Sequence, residues 1–219
     1  MKARILLAAI MTIGFMAFSY GQKVKSNEEM KTIFGNRDNK ISHGGYAGLS
    51  VGYTQIDGED VMTLGGRAGW VIDHHVTIGL AGNAFMNSIL IDGYWPADQG
   101  YNDGYYLVGG YGGFFVEPIV FPNFPVHVSF PILIGAGGVA LNDDTWHDYK
   151  YEDDYYDPYD WDSYFVVEPG VEIELNLVKY FRIAFGASYR YTSNTHMAYV
   201  PKDLMNGFNG NVTFKFGKF

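Results

Sequence analysis

The sequence predicts an all-β chain: an eight-stranded antiparallel up-and-down transmembrane β-barrel, preceded by a cleaved signal peptide. Three observations predict it. Apolar and polar residues alternate with period two over eight stretches, the pattern of strands with unlike faces. Those stretches run to about 11–15 residues, where soluble strands are typically about 5–6 and a tilted membrane strand needs about 9–11. Tight turns alternate with long links along the chain, as in barrels whose loops lengthen at one end only.

In chain order, Lys2 and Arg4 precede the apolar run Ile5 to Phe18, and Ser19-Tyr20-Gly21 supplies small residues before Gln22. This describes a secretory signal peptide over residues 1–21; a spanning helix needs about 20 apolar residues. No cysteine stands at the cut, which leaves no lipoprotein anchor there. Residues 22–42 are polar and unpatterned and read as a flexible leader. The barrel then occupies 43–219, with strands over 43–55, 61–72, 75–87, 104–117, 126–140, 163–177, 180–192 and 207–219. Asp73-His74, Pro122 to Pro125 and Val178-Lys179 make the tight connections. Between them lie a modest link at 55–60 and long ones at 87–103, 141–162 and 193–206. An even strand count puts both ends of the barrel chain on the short-turn side.

The stretch 167–193, "VEPGVEIELNLVKYFRIAFGASYRYTS", shows the two faces. Val171, Ile173, Leu175, Leu177, Phe181, Ile183 and Phe185 hold the odd positions and face lipid. The even positions face an interior that eight strands leave just wide enough for side chains to fill. Arg67, Glu117, His127, Glu168, Glu172, Glu174, Arg182 and Arg190 fall on the inward phase of their strands. They are the expected interior charge network, three arginines facing four glutamates, because an unpaired buried charge is costly. Glu174 and Arg182 meet across a tight turn, where an opposite-charge pair contributes about 0.2–1 kcal/mol. In-strand glycines such as Gly109-Gly110 and Gly137-Gly138 provide curvature and room for large neighbours. Pro131 and Pro169 lack a ladder donor and read as bulges. Trp70, Tyr94, Trp95, Tyr105, Tyr106, Trp161, Tyr164, Tyr180, Tyr189 and Tyr191 gather near strand ends, as aromatic girdles do.

Motifs for chemistry fail on context. "GLSVG" at 48–52 matches a nucleophile elbow, but Ser50 is mid-strand with no helix after it. "GAGGVA" at 135–140 mimics a dinucleotide fingerprint and runs into acidic residues instead of a helix. His74 and His75 are adjacent in a turn, and His147 and His196 lie on different long loops, so the expectation is no catalytic residues and no dedicated metal site. The net charge of −9 argues against nucleic acid, and it is concentrated. Asp143, Asp144, Asp148, Glu152, Asp153, Asp154, Asp157, Asp160 and Asp162 share the loop 142–162 with one base, Lys150. This cation- or ligand-binding candidate could collect Ca²⁺, which takes six to eight oxygens, although it lacks the glycine and terminal glutamate of an EF-hand loop. Its interleaved tyrosines and tryptophans equally suit sugars or a protein surface, and the loop also reads as a solvated surface with no dedicated ligand. No other cofactor is expected.

Segments such as "HGGYAGLSVGYTQI", "LGGRAGWVID", "ELNLVKYFRIAFGASYRY" and "TFKFGKF" give residues 43–219 a resemblance to small Gram-negative outer-membrane β-barrels of the OmpA/OmpX type. The final aromatic strand resembles the signal read by barrel-assembly machinery, though Phe219 is out of phase with Val212, Phe214 and Phe216 and should point to the other face. The resemblance implies the cell outer membrane, contact with its lipid and lipopolysaccharide, and a monomer. It supplies no activity. The expected function is a non-enzymatic barrel whose long loops act in envelope structure or surface binding; the alternatives are a small porin-like channel and a membrane lipid-modifying enzyme.

Overall fold

Period-two alternation lets a strand bury one face only when its neighbours do the same in register, and a closed ring lets every strand do so without an exposed edge. The computed structural model describes residues 41–56, 59–87, 105–143, 160–197 and 201–219. Residues 1–40, the signal peptide and nearly all of the leader, lie outside them, as do the centres of the long links. Nine hydrogen-bonded segments follow one another: β1 (His43–Ile56), β2 (Glu59–Ile72), β3 (Val76–Asn87), β4 (Tyr105–Val120), β5 (Val126–Ser129), β6 (Ile132–Asp143), β7 (Asp160–Val178), β8 (Phe181–Thr192) and β9 (Gly207–Lys218). All pairings are antiparallel; they join sequence neighbours except that β4 also pairs with β6 and β7 also with β5, and β1 pairs with β9 to close the ring. Because β5 and β6 together fill one position between β4 and β7, the barrel has eight strands. Successive register offsets accumulate in one sense around the ring, the stagger that closure of a tilted barrel requires.

The break between β5 and β6 falls at Phe130–Pro131, and it corrects the bulge reading. β5 and β6 keep one continuous register against β4 on one side and β7 on the other, so no residue is inserted. Phe130 N donates to the Pro118 carbonyl (2.9 Å) and Gly170 N to that of Pro131 (2.8 Å), which bridges the gap. At Pro169 the β7–β8 register is likewise the same before and after. Proline removes its ladder bond without shifting either strand. The register does shift between Asn176 and Val178, beside the Lys179–Tyr180 turn.

The first tight turn spans Asp73 to His75 between Ile72 and Val76, with Asp73 and His74 at φ 50° and 60°, the left-handed pair whose twist suits a hairpin. Large apolar side chains on every strand position of the ring face outward and are exposed: Leu49, Leu64, Leu80, Phe114, Ile134, Phe165, Ile173, Phe185 and Phe214. Trp70 and Tyr180 stand exposed toward the short-turn end and Trp161 toward the long-loop end. Tyr164, expected in the girdle, is instead buried inside. The interior glycine Gly137 makes room for it, since a Cβ there would meet the Tyr164 ring at 2.6 Å. No helix among the described residues is long and apolar enough to cross a membrane, which says nothing of crossing by strands.

Candidate functional site in the barrel interior

Inward positions of six strands bring one charged cluster together in the half of the barrel nearer the short turns. Lys215 on β9 is fully buried, with Nζ 2.5 Å from Glu117 Oε1, 2.8 Å from Glu174 Oε1 and 3.0 Å from Glu172 Oε2. Arg67 Nη2 donates to Glu172 Oε1 at 2.6 Å and to Thr213 Oγ1 at 3.2 Å, while its Nη1 lies 3.6 Å from Glu117. Arg182 Nη1 stands 3.4 Å from Glu174 Oε2, and His127 Nε2 stands 3.0 Å from the same oxygen. Tyr46 donates to Glu117 Oε2 at 2.6 Å, and Ser129 to its Oε1 at 3.1 Å. Oxygens of Glu117, Glu172 and Glu174 lie within 4.8 Å of one another, the spacing of a cation site. The Lys215 ammonium lies within 3.0 Å of all three, and together with Arg67 and Arg182 it balances their charge.

Of the residues expected inside, Arg67, Glu117, His127, Glu172, Glu174 and Arg182 join this cluster. Glu168 and Arg190 sit apart, nearer the long loops. Glu168 Oε1 accepts from Ser188 Oγ (2.5 Å) and from Asn209 Nδ2 (3.3 Å). Arg190 Nε donates to the Met205 carbonyl at 2.6 Å, and its guanidinium lies 5.3 Å from the Tyr111 ring centroid. Sequence reasoning missed Lys215 and Tyr46. Lys215 resolves the mismatch of three bases against four acids: with it the described residues place four of each inside. The signal was in "TFKF", whose outward Phe214 and Phe216 place Lys215 on the other face by alternation. Phe219 also turns inward, 5.6 Å from the Tyr46 ring and 3.8 Å from the Arg182 guanidinium carbon.

Apolar side chains pack together in the half nearer the long links. Met197, Leu204 and Met205, from the β8–β9 connection, are buried against a cluster that includes Ile56, Val61, Phe85, Leu107 and Val139. Arg190 and the Thr192–Asn206 bond (2.7 Å) fasten that connection to the barrel wall.

The acidic loop is described only at its roots. Asp143 pairs with Tyr105 across β4–β6, and Asp160 with Leu141 across β6–β7. Asp162 Oδ2 accepts from His196 N at 2.6 Å and Oδ1 from Ser163 N at 2.7 Å, joining the rims of β7 and the β8–β9 connection. Asp144, Asp148, Glu152, Asp153, Asp154 and Asp157 lie outside the described residues.

No family model matches the sequence, and no curated protein matches it. Solved structures do. Neisserial surface protein A superposes with a TM-score of 0.53 at 9% identity, over 83% of this chain and 100% of that one. Ail, the attachment invasion locus protein of Yersinia pestis, gives 0.45 at 10% identity, over 80% and 95%. The N-terminal β-barrel domain of Pseudomonas aeruginosa OprF gives 0.45 at 8%, over 78% and 96%. At such identities the likeness concerns the fold, and that to neisserial surface protein A agrees with the ring traced above: the chain has the architecture of the small eight-stranded outer-membrane β-barrels, of the OmpA/OmpX type.

Proposed function

We propose that the protein is a non-enzymatic barrel of the cell outer membrane, plugged by its own side chains, whose long loops carry its role in envelope structure or surface binding. One observation supports this reading above the rest: the hydrophobic and charged residues are inverted relative to a soluble protein. Phe114, Phe165 and Leu64 are about two-thirds exposed or more, while Glu117, Lys215 and Arg190 are at 0%. Monomeric soluble proteins rarely expose contiguous apolar patches beyond a few hundred Å², and here the apolar surface circles the ring. Bilayer hydrocarbon is the surrounding in which that surface costs nothing. The interior is then a structural plug, because its charges neutralise one another and its outer end is apolar.

With transport set aside, binding falls to the loops, and the acidic, aromatic segment 142–162 is the candidate contact for glycan, divalent cation or protein. Protease added to intact cells should cleave within 142–162, and the purified barrel should conduct little or nothing in planar bilayers. Protection of that segment on intact cells counts against the orientation, and sustained large single-channel steps against the plug. For the cation, calorimetric titration of the folded barrel with Ca²⁺ should give heat at millimolar ion or below; none would leave glycan or protein as the loop's ligand.

A further inference from the structure

We infer that the outer wall formed by β4, β5–β6 and β7 is the contact between two copies of this chain in the membrane, against the monomer that the resemblance implies. Such a dimer presupposes the outer-membrane reading above and adds a partner to it.

The apolar face of the ring is not of even height. On β1, β2 and β9 the outward positions are apolar from Gly45 to Tyr53, from Met62 to Ile72 and from Phe208 to Phe216, and exposed Gln55, Asp60 and Lys218 bound them. A strand tilted by about 40° rises roughly 2.5 Å per residue along the barrel axis, so these faces are about 20–25 Å tall. They match the apolar band of about 25 Å that a membrane barrel presents. On β7 the outward positions run from Trp161 to Leu177, a rise of about 40 Å. Ser163 is the one polar side chain among them, and none is charged. Outward positions of β5 and β6, from Val126 to Ala140, are apolar or glycine throughout, a rise of about 35 Å.

The excess lies at both ends. Toward the long links, exposed Trp161 and Phe165 stand beyond Val166–Thr192, the last β7–β8 pair. Toward the short turns, the β4–β5 and β7–β8 turns carry exposed Phe121, Phe124, Val178 and Tyr180, where the β2–β3 turn has Asp73, His74 and His75. Tilting the whole barrel raises both edges of the band on one side. Here one edge rises while the other falls, so a tilt exposes one end as it covers the other. A face too tall for its bilayer is accommodated by local thickening or by association.

The relief of the wall favours association with a second copy. Phe165 and Phe114 are 76% and 72% exposed, the highest values among the large described hydrophobics. Beside them Gly112 pairs with Gly82 and Ala136, and Gly110 pairs with Gly138, which leaves a shallow depression. A two-fold contact is self-complementary: Phe165 of each copy enters the depression of the other. A second copy also offers a charge-free face of the same height, so each wall covers the excess of the other at both ends. The strip measures about 15 Å by 35 Å, on the order of 500 Å² per copy. Two copies then bury close to the roughly 1,000 Å² that a specific interface needs, at the reversible end of the range.

The chain has no cysteine, so Lys179→Cys, in an exposed turn, provides a single label site on the full barrel. Energy transfer between donor- and acceptor-labelled copies in phosphatidylcholine vesicles should exceed that of barrels placed at random. It should fall when dimyristoyl lipid is replaced by longer-chain lipid, because a thicker bilayer covers the tall wall. A Cβ at Gly138 meets nothing nearer than the Asp162 carbonyl oxygen at 3.7 Å, so Gly138→Leu fills the depression without straining the strand. Gly138→Leu and Phe165→Ala should each weaken association about tenfold, and Phe214→Ala, on the far side of the ring, by no more than about twofold. Gel mobility before and after heating scores insertion separately. A parent chain that stays unfolded in vesicles overturns the membrane reading and the dimer with it. A parent barrel that inserts and shows only random transfer overturns the dimer alone and returns the wall to lipid. Equal transfer in all three variants, or transfer that grows with acyl length, overturns the assignment to this wall.

Discussion

Replacing Lys215 by methionine probes the physics of the interior, because the unbranched stem is kept to within one atom of its length while the charge and the donors are lost. The ammonium lies within 3.0 Å of three carboxylates. At an effective dielectric of about 20, two unit charges about 3 Å apart attract by roughly 5–6 kcal/mol. Desolvating the ion, and crowding three carboxylates together, consume much of the sum of three such contacts. The variant removes the attraction and leaves the crowded carboxylates in place, with only Arg67 and Arg182 to neutralise them. Removal of one partner from a buried ion pair typically destabilises by about 3–5 kcal/mol. We expect a loss in that range, more than two decades in the folded-to-unfolded ratio.

The assay is reversible urea unfolding of the barrel in phospholipid vesicles, followed by tryptophan fluorescence. A second substitution sharpens it. Glu117→Gln in the Lys215→Met background removes one uncompensated carboxylate and keeps an acceptor for Tyr46, so the double variant should lose less stability than Lys215→Met alone. A loss below about 1 kcal/mol for Lys215→Met, or strictly additive losses in the pair, would refute the reasoning. The carboxylates would then be solvated or protonated, and the ammonium would not be what neutralises them.

Other outcomes follow from the same geometry. Leu80→Arg places a charge on the outward face, where Leu80 is paired with Ala68 and Phe114; insertion into vesicles should lose about 2–4 kcal/mol, as for arginine near a bilayer midplane, and an unchanged value would remove lipid from that face. Gly137→Val drives a side chain into the Tyr164 ring and the Gly110 carbonyl and should destabilise by about 1–3 kcal/mol through overpacking; pairing it with Tyr164→Ala should recover part of that loss in the same unfolding assay. Phe219→Ala removes an inward ring from Tyr46 and Arg182 and should cost about 1–2 kcal/mol in equilibrium unfolding, whereas an outward, lipid-facing ring would leave the Arg182 surroundings, read by NMR, unchanged.

Alternation made the ring legible because the rule is local: each residue's face follows from its neighbour's, and Glu172, Glu174 and Arg182 can be assigned inward with no knowledge of the adjacent strand. Turns were legible for the same reason, with Asp73-His74 read two residues long. What one strand cannot reveal is its partner. A proline was expected to shift the register, but β4 and β7 hold β5 and β6 in phase from both sides, so Pro131 leaves a gap and no bulge. Tyr164 lies near a strand end, as a girdle residue would, but its even position, in step with Val166 and Glu168, puts it inside. Lys215 is masked in "TFKFGKF" by the flanking Phe214 and Phe216, and it emerges as an interior charge only when the alternation is followed to the other face. The interior cavity of about 50 Å³ lined by Ser50, Ser188 and Asn209 has no sequence signal, since it lies between strands that alternation along a single strand does not relate.

The two ends of the interior are built on different physics, and this bears on how the barrel tolerates change. The charge cluster is directional: each carboxylate is matched to a named donor, and a half-satisfied network is costlier than an apolar core. Substitutions at Glu117, Glu172, Glu174 or Lys215 must therefore be compensated in pairs. The apolar end is non-directional, and Met197 and Met205 have flexible side chains that refill gaps after a neighbour changes. The long connections rise from this apolar end, so changes in them fall on the part of the interior that can repack. The rigid, paired cluster lies at the opposite end, next to the short turns. An exchange of the 144–159 segment for an unrelated loop should accordingly leave the Lys215 cluster and the unfolding midpoint nearly unchanged, and a loss of several kcal/mol on such an exchange would mean that the loops and the charged cluster are energetically coupled after all.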